Sequence, residues 1–266
     1  MTIRFLHDKP ALLITDRKFG RILCIADVHL GIEHELYKNG VVIAPQAEKF
    51  YRELESLLRV TKATKLVILG DLKHKIPGIS PREVRELPKL IEPISKKAET
   101  ILVKGNHDTE LEELAGEHIR IVGSEGFAIG PYGFFHGHAW PAKELLRCDY
   151  LFTAHIHPVV EFVDDFGFRL VEKVWAKGVL DEKVLRKKYS LGPQRMKKEK
   201  FAFGHMETIV FPSFNPIISG MPLNSKNRAE EGYLGPLMRS GALKPQKMDA
   251  YMLDGTHLGK ITKKFL

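Results

Sequence analysis

Five short clusters of metal-ligating side chains, each directly following a strand-like apolar run, restrict the fold of this 266-residue sequence more than any other feature. Arg21-Ile22-Leu23-Cys24-Ile25-Ala26 runs into Asp27-Val28-His29, and Lys65–Leu69 runs into Gly70-Asp71. Thr100–Val103 precedes Gly105-Asn106-His107-Asp108, Gly133–Phe135 precedes His136-Gly137-His138, and Tyr150–Thr153 precedes His155-Ile156-His157. Nearly continuous apolar runs of this length suit strands buried on both faces. Ligands of open α/β sheets bind beyond the carboxyl ends of the strands, so the five clusters are expected to meet in one crevice. Residues i and i+2 of an extended strand face the same side, so D-x-H and H-x-H are each expected to present two side chains together.

The segments between these runs favour an α/β fold. Val42, Ala47, Phe50, Leu54, Leu57 and Leu58 recur at helical spacing. Pro81 suits the first turn of a second helix, which Pro88 and Pro93 are expected to shorten or kink. The resulting β-α-β-α-β order favours parallel strands with right-handed crossovers. Beyond about residue 118 the pattern changes to short strands: Ile119–Val122, Phe127–Ile129, Val159–Val163 and Glu207–Phe211, with Asp165-Phe166-Gly167 as a turn. Asp254-Gly255 marks a C-terminal hairpin, and Ser219–Pro245, rich in Gly, Pro and Asn, is expected to be irregular. The expectation is one domain over residues 1–266 containing two sheets, with a basic segment at 172–200 and an irregular segment plus hairpin at 219–266.

Charge and composition narrow the class. Lys and Arg number 41 against 33 Asp and Glu, a net charge of +8. Residues 172–200 hold ten basic and four acidic side chains, so this stretch supplies +6 of the +8. A local positive field of that size suits nucleic acid, with Lys187, Lys188, Lys197 and Lys198 as candidate contacts; a solvated helix face is the alternative. No run of about 18 apolar residues is present to span a membrane. Asp8 and Pro10 fall where a secretory signal needs unbroken apolar sequence, and Cys24 and Cys148 are too few for a disulfide framework. A cytoplasmic location is therefore expected.

The clusters mix imidazoles, carboxylates and one amide without thiolate, a donor set suited to manganese, iron or zinc rather than to a structural thiolate zinc site. They offer more ligands than one ion uses. Two divalent ions sharing a carboxylate, about 3.5–4 Å apart, would use them economically. His7, His34, His118, His205 and His257 lie outside the series and are read as surface or core residues. Trp140 is read as packing, with stacking on a base as its functional alternative. Phe214-Asn215-Pro216 is read as a structural turn, with closure of one side of the cleft by Phe214 and Asn215 as the functional alternative.

In order, the clusters resemble the signature of the calcineurin-like metallophosphoesterase superfamily: D-x-H, G-D, G-N-H-D/E, a lone H and G-H-x-H. Ala26-Asp27-Val28-His29-Leu30-Gly31, Gly70-Asp71-Leu72-Lys73-His74 and Phe211–Pro216 are most similar to the small archaeal and bacterial DNA-repair phosphoesterases of the SbcD-related and PdeM types. The resemblance implies a four-layer α/β sandwich of two mixed sheets flanked by helices. It assigns Asp27, His29 and His157 to one metal, Asn106, His136 and His155 to a second, and Asp71 to the bridge between them. It places His107 at the scissile phosphate, oriented by Asp108, and His74 beside the phosphodiester. His138 stays open as the alternative to His136, and Ala154 stands where the family has glycine. The implied activity is phosphodiesterase or nuclease action on DNA or another nucleic acid, by attack of a metal-bridging hydroxide on phosphorus. A phosphomonoesterase or nucleotide phosphodiesterase is the alternative within that chemistry. A non-catalytic nucleic-acid-binding or partner-binding module of the same fold is the alternative outside it.

Overall fold

A computed structural model of the chain describes residues 1–191, 205–225 and 234–261. An N-terminal hairpin, β1 (Thr2–Phe5) and β2 (Leu12–Asp16), leads antiparallel into β3 (Gly20–Ile25). Three parallel strands follow: β4 (Lys65–Ile68), β5 (Glu99–Val103) and β6 (Arg120–Val122). The first sheet therefore runs β1-β2-β3-β4-β5-β6. Helix α1 (Ile32–Lys38) and helix α2 (Ala47–Thr61) lie between β3 and β4, and α3 (Pro81–Ser95) lies between β4 and β5. Strand alternation divides the apolar residues cleanly. Leu23, Ile25, Leu66, Ile68 and Leu102 pack against Phe50, Leu54 and Leu58 of α2 and Leu87, Leu90 and Ile91 of α3. Their neighbours Ile22, Cys24, Val67 and Val103 face the other way, into the second sheet.

The second sheet is mixed. It contains β7 (Phe127–Ile129), β8 (Tyr132–Phe134), β9 (Tyr150–Thr153), β10 (Pro158–Val163), β11 (Arg169–Val179) and β12 (Glu207–Val210). A short strand β13 (Met221–Pro222) pairs with β10, and the hairpin β14 (Asp249–Met252) and β15 (His257–Lys260) joins through β11. Its inner face brings Tyr132, Phe134, Phe152, Trp175, Ile209 and Phe211 against the first sheet, with Trp175 stacked on Phe5 at a ring separation of 4.4 Å. Its outer face is covered by α5 (Glu182–Lys188) and α6 (Pro236–Arg239), where Leu185, Leu237 and Met238 are buried. The layers run helix, sheet, sheet, helix. A short helix α4 (Glu112–Ala115), numbered by chain order, precedes β6.

Two trios of parallel strands set up the site. In the first sheet β3, β4 and β5 run together, and in the second β8, β9 and β12 do. The loops after five of these six strands carry the five ligand clusters, and the loop after β12 carries Phe211–Asn215. Phe214 N donates to Ala26 O at 2.8 Å and ties the loop after β12 to the loop after β3.

Several local expectations are corrected. The helix expected from residue 42 begins at Ala47. Helix α3 runs through Pro88 and Pro93 for 15 residues. The carbonyls that these prolines leave without a partner belong to Val84 and Lys89, both exposed, where water can satisfy them. The basic segment is not one helical face: part of it is β11, part is α5, and residues 192–204, with Lys197 and Lys198, lie outside the described residues. The N-terminal hairpin and β11 carried no sequence signal strong enough to read. Among the described residues no helix is long and apolar enough to cross a membrane.

Candidate metal centre

The ligand clusters do not sit in extended strands. Asp27 (φ 53°), His29 (φ 43°), Asp71 (φ 49°), His155 (φ 74°) and His157 (φ 45°) are all left-handed. This replaces the simple i, i+2 picture: after β3, β4 and β9 the chain passes through left-handed residues at the candidate ligands themselves. Such conformations cost a non-glycine residue about 1–3 kcal/mol each and persist only where the surroundings enforce them. Here a backbone ladder does so. Asp27 N donates to Gly70 O at 3.1 Å, His29 N to Asp71 O at 2.8 Å, Leu30 N to Leu72 O at 2.9 Å and Ala154 N to His136 O at 2.7 Å. Ala154 itself is not among the left-handed residues, so the methyl in place of the family's glycine meets no backbone conflict.

Three groups of potential ligand atoms result, each with its atoms within 4.8 Å of one another: Asp27, His29, Asp71 and His157, then Asp71, His136 and His155, and a carboxylate-free group of His29, His74 and His107. Asp71 belongs to the first two. Its Oδ2 lies 3.6 Å from His29 Nε2 and 3.3 Å from His136 Nε2, while its Oδ1 accepts from His107 N at 2.9 Å. His136 Nδ1 pairs with Leu69 O at 2.7 Å, which aims Nε2 at Asp71. His138 joins none of the groups, whereas His136 joins the second. Asn106 Oδ1 and Asp27 Oδ1 are buried without a hydrogen-bond donor; His157 Nε2 lies 3.3 Å from the latter, outside hydrogen-bonding geometry. His29 Nε2 and His157 Nε2 face each other at 3.4 Å. Orphaned buried oxygens are costly unless a cation lies among them, and imidazole nitrogens beside them complete a donor set, so these residues fit divalent metal.

Charge follows the same pattern. Burial disfavours the carboxylate of Asp71, but His136 and His29 outweigh it and hold the group far below its ordinary range. Burial likewise opposes a proton on His136, yet Asp71 and Asp27 prevail and raise the imidazole to about 9. Burial lowers His29 to about 3 and His155 to about 4, leaving both as neutral donors. Without metal, a proton on His136 offsets part of the charge of the two carboxylates, and an incoming cation must displace it.

The remaining sequence candidates are placed less uniformly. His107 Nδ1 pairs with His74 O, which leaves Nε2 as the nitrogen able to address a substrate. His74 stacks on His107 with ring centroids 5.4 Å apart, approaches His29 Nδ1 at 3.2 Å through its own Nδ1 and pairs through Nε2 with Glu35 Oε2 at 2.8 Å. Asp108 does not orient His107 as expected. Its Oδ1 accepts from Leu72 N at 2.8 Å and its Oδ2 from Gly105 N at 2.8 Å, so it ties the second cluster to the third. Lys187 and Lys188 lie in the last turn of α5.

Three positioning residues escaped the sequence reading. Glu83 is fully buried; it completes a capping box with Ser80 and accepts from His74 N at 2.9 Å. The Ser-x-x-Glu pattern was its available signal. Glu35 had none. Lys173, one of the basic run, turns inward and donates to Ser213 O at 2.9 Å, Ser213 Oγ at 2.7 Å and Asn215 O at 2.5 Å. Asn215 Nδ2 in turn donates to Val28 O at 2.8 Å, so Lys173 braces the loop that carries Asp27 and His29. Burial lowers its ammonium to about 8. Lys173→Met is expected to lower stability by about 1–3 kcal/mol, because buried acceptors lose their donor. Chemical denaturation of the two proteins checks this, and an unchanged midpoint would show that the brace is dispensable.

Comparison with known proteins agrees with the fold. Residues 20–206 match the family model described as calcineurin-like phosphoesterase. Among solved structures, the chain is similar to the Pseudomonas putida nuclease MPE, with 21% identity, a TM-score of 0.50 and coverage of 83% of this chain and 84% of that one. It also matches Yfce, a phosphoesterase from E. coli, at 22% identity and a TM-score of 0.35, over 54% of this chain and 73% of the other. No curated protein matches it significantly in sequence.

Proposed function

Since this chain belongs to the calcineurin-like phosphoesterase family, we propose that it is a two-metal phosphodiesterase whose substrate is nucleic acid. The observation that carries the reading is Asp71, one carboxylate shared by two groups of ligand atoms. Asp27, His29 and His157 would hold one ion, Asn106, His136 and His155 the other, and Asp71 both. Divalent ions held there supply charge neutralisation for the anionic ester and lower the pKa of bound water toward neutrality.

The chain's own residues do the rest. The left-handed turns hold the donors inward before substrate arrives, so little reorganisation accompanies the reaction. His107, fixed through Nδ1 by His74 O, presents Nε2 toward the departing oxygen or a non-bridging oxygen of the phosphate. His74, held by Glu35, flanks that position and restricts how the ester can lie. Asp108 keeps the Asp71 and His107 loops in register. Lys187, Lys188, Lys197 and Lys198 are proposed contacts for the polyanion, with manganese the first candidate metal.

A panel of bis-p-nitrophenyl phosphate, p-nitrophenyl phosphate, single-stranded DNA, duplex DNA and RNA, each with Mn²⁺, Fe²⁺ or Zn²⁺, tests this. Faster metal-dependent turnover of the diester than of the monoester, with cleavage of at least one nucleic acid, is expected. Turnover confined to the monoester would leave the phosphomonoesterase reading, and a metal-loaded but inert protein would leave a binding module.

A further inference from the structure

We infer that a cavity beside the metal centre is a nucleoside pocket, with Trp140 as the surface against which the base lies. The cavity has a volume of about 470 Å³, and small-ligand sites run about 300–1,000 Å³. One wall is His155, a member of the ligand group built on Asp71. The others include His138, Trp140, Pro236 and Arg239. His138 lies between, its ring 5.2 Å from that of His136 and 6.0 Å from that of His155.

The chemistry of these walls selects the ligand. A phosphate held at the metals would leave its sugar and base on the His155 side, facing an indole and a guanidinium. Trp140 is held in place: Tyr189 meets it edge-on at 6.2 Å, and the Tyr189 hydroxyl donates to Pro141 O. Lys188 Nζ stands 5.1 Å from the indole centroid, so a cation of the basic segment is gathered at the same ring. His138 Nδ1 is buried with no hydrogen-bond partner, an unused polar atom on the wall nearest the metals. A flat apolar ring joined to an anionic ester satisfies this set, whereas a plain sugar phosphate would leave the aromatic wall uncovered. The packing role expected for Trp140 holds as well, since its ring rests on the outer core of the second sheet.

The inference rests on the proposed phosphodiesterase reading but is tested apart from it, by equilibrium binding. The full chain loaded with Mn²⁺ is titrated with adenosine 5′-monophosphate and, separately, with ribose 5-phosphate, in an isothermal calorimeter. The wild-type protein is expected to bind the nucleotide about tenfold more tightly, the scale of one base–aromatic stack. Trp140→Phe, which keeps an aromatic face, should retain most of that preference. Trp140→Leu, which keeps apolar bulk without a π-face, should bring the two ligands within about twofold of each other. Equal affinities in the wild-type protein, or an undiminished preference in Trp140→Leu, would overturn the pocket. Absence of diester hydrolysis in a protein that still prefers the nucleotide would sink the catalytic reading alone.

Discussion

Asp71→Asn is expected to lower metal-dependent diester turnover by about 10³-fold or more, the scale of losing a charge-stabilising element of a two-metal site. The side chain keeps its shape but loses the charge that faces His29 and His136 together. Metal content, read by mass spectrometry of the purified protein, should fall from two ions per chain to one or none. The fold should survive. Burial and the neighbouring Asp71 push the Asp108 carboxyl up to about 6, so removing the Asp71 charge relieves a repulsion and Asp108 stays bound to its backbone donors. Turnover within about tenfold of wild type would mean that Asp71 does not join two ions, and the proposed chemistry would fail with it.

Gly105→Ala should be nearly as damaging, for a purely steric reason. A Cβ built on Gly105 would stand 2.1 Å from Asp71 Oδ1 and 2.4 Å from Asp71 N. The carboxylate could swing aside, but the backbone nitrogen could not, because its loop is laced to the Asp27 loop on one side and to Asp108 on the other. Overpacking of this kind costs about 1–3 kcal/mol. A displacement near 1 Å at the reacting centre costs roughly 10²-fold in rate. Gly123→Ala is the matched control, since a Cβ there meets nothing within 4 Å. A thermal melt and a diester assay on the pair decide the matter: equal behaviour of the two variants would show that the close approach at Gly105 is not needed.

The same two positions show which parts of the site a sequence can disclose. Asp71 and Gly105 each follow an apolar strand within two or three residues, and that juxtaposition is local. The parallel strands follow from it too, because short doubly buried runs separated by helical stretches have few other ways to pair. Asp108 shows the opposite. Its place beside His107 suggested that it orients that ring, whereas its two oxygens serve Leu72 and Gly105, one of them 36 residues away. Helix α3 is a further case: the cost of Pro88 and Pro93 depends on whether the released carbonyls meet water, which only the packed structure determines.

From the sequence alone come the identity and order of the candidate ligands, the α/β class and the pairing of two sheets, because each is encoded in the apolar period of a short segment and the residues at its end. Tertiary structure alone decided the left-handed turns at those ligands, the approach of His136 rather than His138 to Asp71, the inward turn of Lys173 out of a charged run, and the placing of Trp140 and Arg239 on one cavity with His155. These depend on distances between segments remote in the chain, and a side chain's role there is set by which neighbour removes its water or accepts its proton.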